Sequence, residues 1–231
     1  MNEDTRVAVC CYAGDQDRVI ANLDLYLHHE CPIAILSPED SKVEIHHPGI
    51  VNRFGGKRGH VGPHTLDRER QHLEILLEFP EKYFMIHDAD SICLDPKFPA
   101  YVYAEPDLVW SNQVNDTMRQ HQAAFPQGWP HVAFQPPYFL SRKTIAAMLA
   151  VADQIIASPM MPFIDYYMVQ LTCTAGLPWK RFENCACRRP PMAFDLVRRG
   201  VSILHGIRSP KDAHTLMDMR RDYLAGTGRK A

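Results

Sequence analysis

The segment Lys82–Ser91 (KYFMIHDADS) constrains the fold more than any other stretch of the chain. Its apolar part, Tyr83 to Ile86, is short and continuous, as in a strand buried on both faces of a sheet. It ends in two carboxylates spaced i, i+2, Asp88 and Asp90. Ligands of open α/β sheets gather at the C-terminal ends of the strands. An acidic pair there makes an oxygen-rich, doubly negative corner. Such a corner suits a hard divalent ion that keeps some waters and also holds substrate phosphates. The spacing alone is a weak signal, because 17 aspartates give about one Asp-x-Asp by chance. A second one, Asp15-Gln16-Asp17, follows the first predicted strand, where Asp15 also suits a helix N-cap.

The elements around this strand set the fold class. Arg6–Tyr12 reads as a buried first strand. Asp15–His29 reads as an amphipathic helix with Val19, Ile20, Leu23 and Leu27 at helical spacing, and Pro32–Leu36 as a second strand. Val43–His47 is predicted as a short third strand, stopped by Pro48-Gly49. Arg53–His64 is a basic loop whose four glycines permit positive φ and close backbone approach; the alternative is a merely flexible connection. Thr65–Phe79 follows as a helix with Leu66, Leu73, Leu76 and Leu77 inward. Asp107–Ser111 and Val132–Leu140 read as strands. Ser141–Ala157 and Pro162–Ala175 read as helices, the first capped by Ser141 and the second ended by Gly176. Val201–Leu204 is a last short strand and Ala213–Leu224 a terminal helix. Strand, helix, strand at the start is the signature of a parallel sheet, so the class is α/β.

Composition bounds the partners. The 231 residues suit one generous domain, and 25 basic against 27 acidic residues leave a net charge of −2, with no overall field toward nucleic acid. No apolar stretch reaches the roughly 18–20 residues of a membrane span. The first residues lack the layout of a signal peptide, and seven irregularly placed cysteines point to reduced thiols in a cytoplasm-like compartment. Cys185-Ala186-Cys187 does not have zinc-finger spacing.

An N-terminal βαβ sheet, an Asp-x-Asp after a mid-chain strand and a less regular second half resemble the GT-A glycosyltransferases, over about residues 6–211. The resemblance implies one three-layer domain over residues 1–231 with a Rossmann-like, mostly parallel sheet flanked by helices. About 1–112 would hold nucleotide sugar and metal, and about 113–231 the acceptor and a C-terminal metal/phosphate loop. It implies that Asp88 and Asp90 grip Mn²⁺ or Mg²⁺, which holds the diphosphate of a nucleotide sugar, a UDP-sugar foremost, with Ala89 beside the donor. Leu204–Lys211 (LHGIRSPK) is similar to the C-terminal His-x-x-Gly-x-x-Lys-Pro element of glycogenin-like enzymes, although order and spacing differ. On that likeness His205 is a third metal ligand and Lys211 a phosphate contact. Asp165, in Pro162–Val169, stands where many inverting members carry the general base. The His205 element resembles retaining members, so the stereochemistry stays open.

The resemblance further implies donor contacts from Cys11, Tyr12, Ala13 and Asp15 at the end of the first strand, with Tyr12 able to stack on a base. Arg58, Arg68 and Arg70 are the candidates for the phosphates. Trp110, Trp129 and Trp179 are either an acceptor platform or core. The acceptor is expected to be a glycan or glycolipid. A hydroxylated base in DNA, as in viral DNA-modifying glycosyltransferases of a host cytoplasm, is the minority reading. Two rivals stand beside this one. A haloacid-dehalogenase-like phosphatase would use Asp88 and Asp90 as nucleophile and acid/base, but it needs a downstream acidic pair that Asp107, Asp116, Asp153, Asp165 and Asp195 do not supply. The other is a nucleotide-sugar-binding protein without catalysis.

Overall fold

Continuous apolar runs become the central strands. β1 (Thr5–Cys10), β2 (Ile33–Ser37) and β4 (Tyr83–Asp88) are buried along almost their whole length, with β3 (Ile50–Phe54) on the outer edge. The computed structural model describes residues 4–58, 63–115, 132–155, 164–187 and 192–226. β6 (Val109–Asn115), β7 (Val132–Ser141) and β8 (Trp179–Arg181) extend the sheet to seven strands in the order β3-β2-β1-β4-β7-β6-β8. β3, β2, β1 and β4 are parallel neighbours, as are β6 and β8. β7 runs antiparallel to both β4 and β6, so of these seven strands it opposes the common direction.

Alternate residues face opposite layers. Val7, Val9, Ile33, Ile35 and Met85 pack with Val19 of α1 (Gln16–Ala21), Tyr26 of α2 (Leu23–Leu27) and Val102 of α4 (Ala100–Ala104). Ala8, Ala34, Leu36, Phe84 and Ile86 face the other side. There they meet Leu73 and Leu76 of α3 (Pro63–Glu78), Met148 of α5 (Arg142–Val151) and Met168 of α6 (Ile164–Thr174). The protein is therefore mixed α/β, a mostly parallel sheet flanked by helices. Fully burying side chains such as Phe84 and Met85 contributes roughly 1.5–3 kcal/mol each, which fixes β4 in mid-sheet. A second sheet has three strands, β5 (Ser91–Cys93), β10 (Ile203–His205) and β9 (Cys185–Cys187), in that order. Val197 of α7 (Met192–Arg198) and Leu216 of α8 (Pro210–Leu224) pack on its Ile92 and Leu204. No helix of the described residues is long and apolar enough to cross a membrane.

Some boundaries move for local reasons. The Asp15–His29 helix breaks at Asn22 (φ −104°, ψ 11°) into α1 and α2. Val43–His47 forms no strand. The Asn52 side chain takes up both the N–H and the C=O of Ile45, at 3.0 and 3.1 Å, in place of a backbone ladder. The strand that pairs with β2 instead starts after Pro48-Gly49, at Ile50. α8 begins at Pro210 rather than Ala213, because proline fits a first helical turn and Ser209 caps it by accepting the Asp212 N–H at 3.3 Å. Ser141 caps α5 by accepting the Thr144 N–H at 3.1 Å, and Gly176 follows α6 with φ +63°, both where the sequence places them.

Burial of its histidines is expected to make the fold acid-sensitive. It pushes the imidazoles of His28 and His29 below their ordinary range, and that of His72 down to about 4. In the unfolded chain these groups protonate near about pH 6.5. Below that pH the unfolded state binds more protons, so stability falls as pH drops toward the folded values, by up to about 1.4 kcal/mol per pH unit for each histidine. Urea unfolding at about pH 7 and pH 5 is expected to show this loss, with a shallower dependence in His72→Leu. Equal stability at the two pH values would contradict it.

Candidate metal centre and its cavity

Two sheets meet at Asp88. β4 ends there, Ala89-Asp90 turns the chain, and β5 begins at Ser91 in the small sheet. β5 pairs antiparallel with β10 so that Ser91 lies opposite His205. That register brings the imidazole to Asp90: His205 Nδ1 stands 3.4 Å from Asp90 Oδ1 and 2.8 Å from Ser91 Oγ. The N–H groups of Gly206 and Ile207 both donate to the Asp90 carbonyl, at 3.0 and 2.9 Å, and so lock the loop after β10 onto the turn after β4.

One ligand atom from each of Asp88, Asp90 and His205 lies within 4.8 Å of the others. Donors about 2.1 Å from one ion stand at most about 4.2 Å apart, so small side-chain shifts would complete a shell. Burial lowers the His205 pKa, with Arg208 acting in the same direction against the attraction of Asp90. The ring is thereby kept in the neutral form that ligates metals. Two carboxylates and one imidazole suit Mn²⁺ better than the all-oxygen preference of Mg²⁺. The residues fit a divalent cation.

The acidic pair opens into a cavity of about 430 Å³, within the size range of small-molecule sites. Four arginines, Arg18, Arg58, Arg68 and Arg208, line it. Arg68 is buried, paired with Glu69, and donates to the Tyr12 hydroxyl. The guanidinium groups of Arg58 and Arg68 lie 5.6 and 5.1 Å from the centre of the Tyr12 ring, within cation–π reach. Arg18 pairs with Asp15 at 2.8 Å and donates Nε–H to the Arg208 carbonyl at 3.1 Å, tying α1 to the loop after β10. Arg208 Nε is 3.6 Å from Asp90 Oδ2. Part of the buried lining is apolar (Leu36, Leu73, Leu76, Ile86 and Met168), with the buried His72 beside it. Such a cavity fits a ligand whose anionic end meets a cation at the acidic corner.

Cys11, Tyr12, Asp15, Arg58, Arg68, Asp88, Ala89 and Asp90 all line this cavity. Cys11 turns its thiol toward the Leu36 carbonyl, and burial pushes its pKa up. Asp15 stands at the N-cap position of α1 but its side chain caps no N–H of that helix; it accepts the Tyr12 N–H at 3.2 Å and pairs with Arg18 instead. Ala13 does not line the cavity, and its N–H is taken by Ser41 Oγ at 3.0 Å. Arg70 lies outside it, paired with Glu74 and Asp153 on the surface. Lys211 is exposed on α8 and also outside, while Arg208 lies at the rim. Asp165 is the second residue of α6; its side chain lies outside the described residues. Trp110 is core, Trp179 packs 5.5 Å from the Phe134 ring, and Trp129 is outside the described residues.

The sequence reading passed over Arg18, Glu69, His72 and Arg208. Arg18 and Arg208 each follow a singled-out residue by three positions, and His72 lies one turn beyond Arg68 on α3, with Glu69 three positions before His72. No protein-family model matches the chain, and no curated protein matches it.

Proposed function

We propose that the chain is a metal-dependent glycosyltransferase of the GT-A type, moving a sugar from a nucleoside-diphosphate sugar, a UDP-sugar foremost, to an acceptor hydroxyl. One observation carries this reading: Asp88, Asp90 and His205 converge from two sheets, and the two carboxylates open into a cavity lined by four arginines. The mostly parallel sheet flanked by helices supports it. Asp88, Asp90 and His205 would hold Mn²⁺, which when bound neutralises charge developing on the departing diphosphate. The protein supplies the rest. Arg58 and Arg68 set positive charge over the donor phosphates, held in place by Tyr12 and Glu69. The Tyr12 ring offers a face to the base. Asp165, at the start of α6, is put forward by the family resemblance to take the acceptor proton.

The acceptor is a glycan or glycolipid hydroxyl, and a hydroxylated DNA base is the lesser candidate because only local arginines could meet its backbone. The phosphatase reading is weaker, since an imidazole rather than further carboxylates joins Asp88 and Asp90. A thermal-shift series with UDP-sugars tests the proposal. Donor at about a hundred times its Kd stabilises by about 2.7 kcal/mol, a rise of about 5–10 °C in a chain of this size. The rise is expected only when Mn²⁺ is also present. No rise with any nucleotide sugar and Mn²⁺ together would overturn it.

A further inference from the structure

We infer that Arg208 is a shared counter-charge: it holds Asp90 until a divalent cation takes that carboxylate, then turns to the phosphate of the incoming ligand. The inference rests on the metal reading above and adds a handover between cation and ligand.

The two oxygens of Asp90 face different groups. Oδ1 meets His205 Nδ1 at 3.4 Å and Oδ2 meets Arg208 Nε at 3.6 Å. A cation bound to Asp90 would therefore sit within a few ångströms of a guanidinium, and the two repel. One of them must give way. The backbone on either side of Arg208 is fixed: Ile207 is fully buried, its N–H is bound to the Asp90 carbonyl, and the Arg208 carbonyl accepts from Arg18. Ser209 next caps α8. The side chain is not fixed in this way. It is 68% exposed at the cavity rim, and the contact to Asp90 is long for a hydrogen bond.

Two of the other arginines are held more firmly. Arg68 is buried against Glu69 and Tyr12, and Arg18 is paired with Asp15 at 2.8 Å. Arg58 lies over the Tyr12 ring. Of the three that pair with a carboxylate, Arg208 is the one whose charge can move to a phosphate at the lowest cost, through side-chain torsions alone. Its presence on Asp90 weakens cation binding in the free protein, and its release strengthens phosphate binding once the cation is in place. Cation and anionic ligand then bind with positive coupling.

Calorimetry separates this role from a structural one because the two effects have opposite signs. Mn²⁺ is titrated into the wild type and Arg208→Gln without nucleotide, and UDP is then titrated into each at saturating Mn²⁺. Arg208→Gln is expected to bind Mn²⁺ about tenfold tighter and UDP about tenfold weaker, the scale set by one charge at a few ångströms in a partly exposed site. Arg208→Lys, which keeps the charge, is expected to fall between. A merely structural role would weaken both titrations together and overturn the inference. If the wild type binds Mn²⁺ but Arg208→Gln binds it no tighter, the metal centre stands and the handover alone fails. If the wild type takes up no Mn²⁺, the metal centre fails and the handover with it.

Discussion

Asp90→Asn is expected, on the proposed function, to lower sugar transfer by about a thousandfold or more while the fold survives. The amide keeps the shape of the side chain but removes the charge that a cation needs, and a catalytic metal held there would supply several kcal/mol of transition-state stabilisation, each 1.4 kcal/mol being worth about tenfold. The fold survives because Asp90 ties the two sheets through its main chain. Its carbonyl accepts from Gly206 and Ile207, and those bonds do not depend on the carboxylate. Among the described residues its carboxylate pairs with His205 and the exposed Arg208. Initial rates with UDP-sugar and Mn²⁺, beside a melting curve, check both halves. A variant within about threefold of wild-type rate would show that the carboxylate does not hold a catalytic cation.

Gly56→Ala is expected to destabilise the protein by about 3 kcal/mol or more, the range in which a single named steric mechanism is required. A Cβ there would stand 2.4 Å from Arg68 Cα and 2.7 Å from Arg68 Cβ, so the helix backbone itself must move. The residue also has φ +71°, which costs an L side chain about 1 kcal/mol before any clash. The loop has little freedom to retreat, since the Gly56 N–H donates to Gln71 Oε1 at 2.6 Å and its carbonyl accepts from Glu39 at 2.9 Å. Because Arg68 lines the cavity, donor binding is expected to weaken along with stability. Gly206→Ala makes the control. Gly206 has φ +88° but nothing within 4 Å of its Cβ position, so only the conformational cost of about 1 kcal/mol applies. Urea unfolding of the two variants measures the contrast, and a loss below about 1 kcal/mol for Gly56→Ala would contradict the packing described.

Gly56 and its neighbour Gly55 show what a sequence makes legible and what it hides. The run Arg53–His64 signals close backbone approach, but Gly55 and Gly56 approach α3 itself, against Ile75, Gln71 and Arg68. The strands β1, β2 and β4 are legible because burial on both faces writes an unbroken apolar run. β5, β8 and β9, of three residues each, and α4, of five, are too short for any period to show. The acidic pair is legible at the end of its strand, while the meeting of Asp90 with His205 depends on the Ser91–His205 register, which no local pattern encodes. Arg68 and Arg70 look alike on paper. Two residues apart on a helix they point about 200° apart, so one enters the cavity and the other reaches Glu74 and Asp153 on the surface.

The most direct test is anomalous scattering from crystals soaked with Mn²⁺ and UDP. The expected result is one manganese peak about 2.1 Å from carboxylate oxygens of Asp88 and Asp90 and a ring nitrogen of His205, with the diphosphate on its open side. A peak bound elsewhere, or a nucleotide seated in the cavity with no metal between it and these three residues, would contradict the proposed centre.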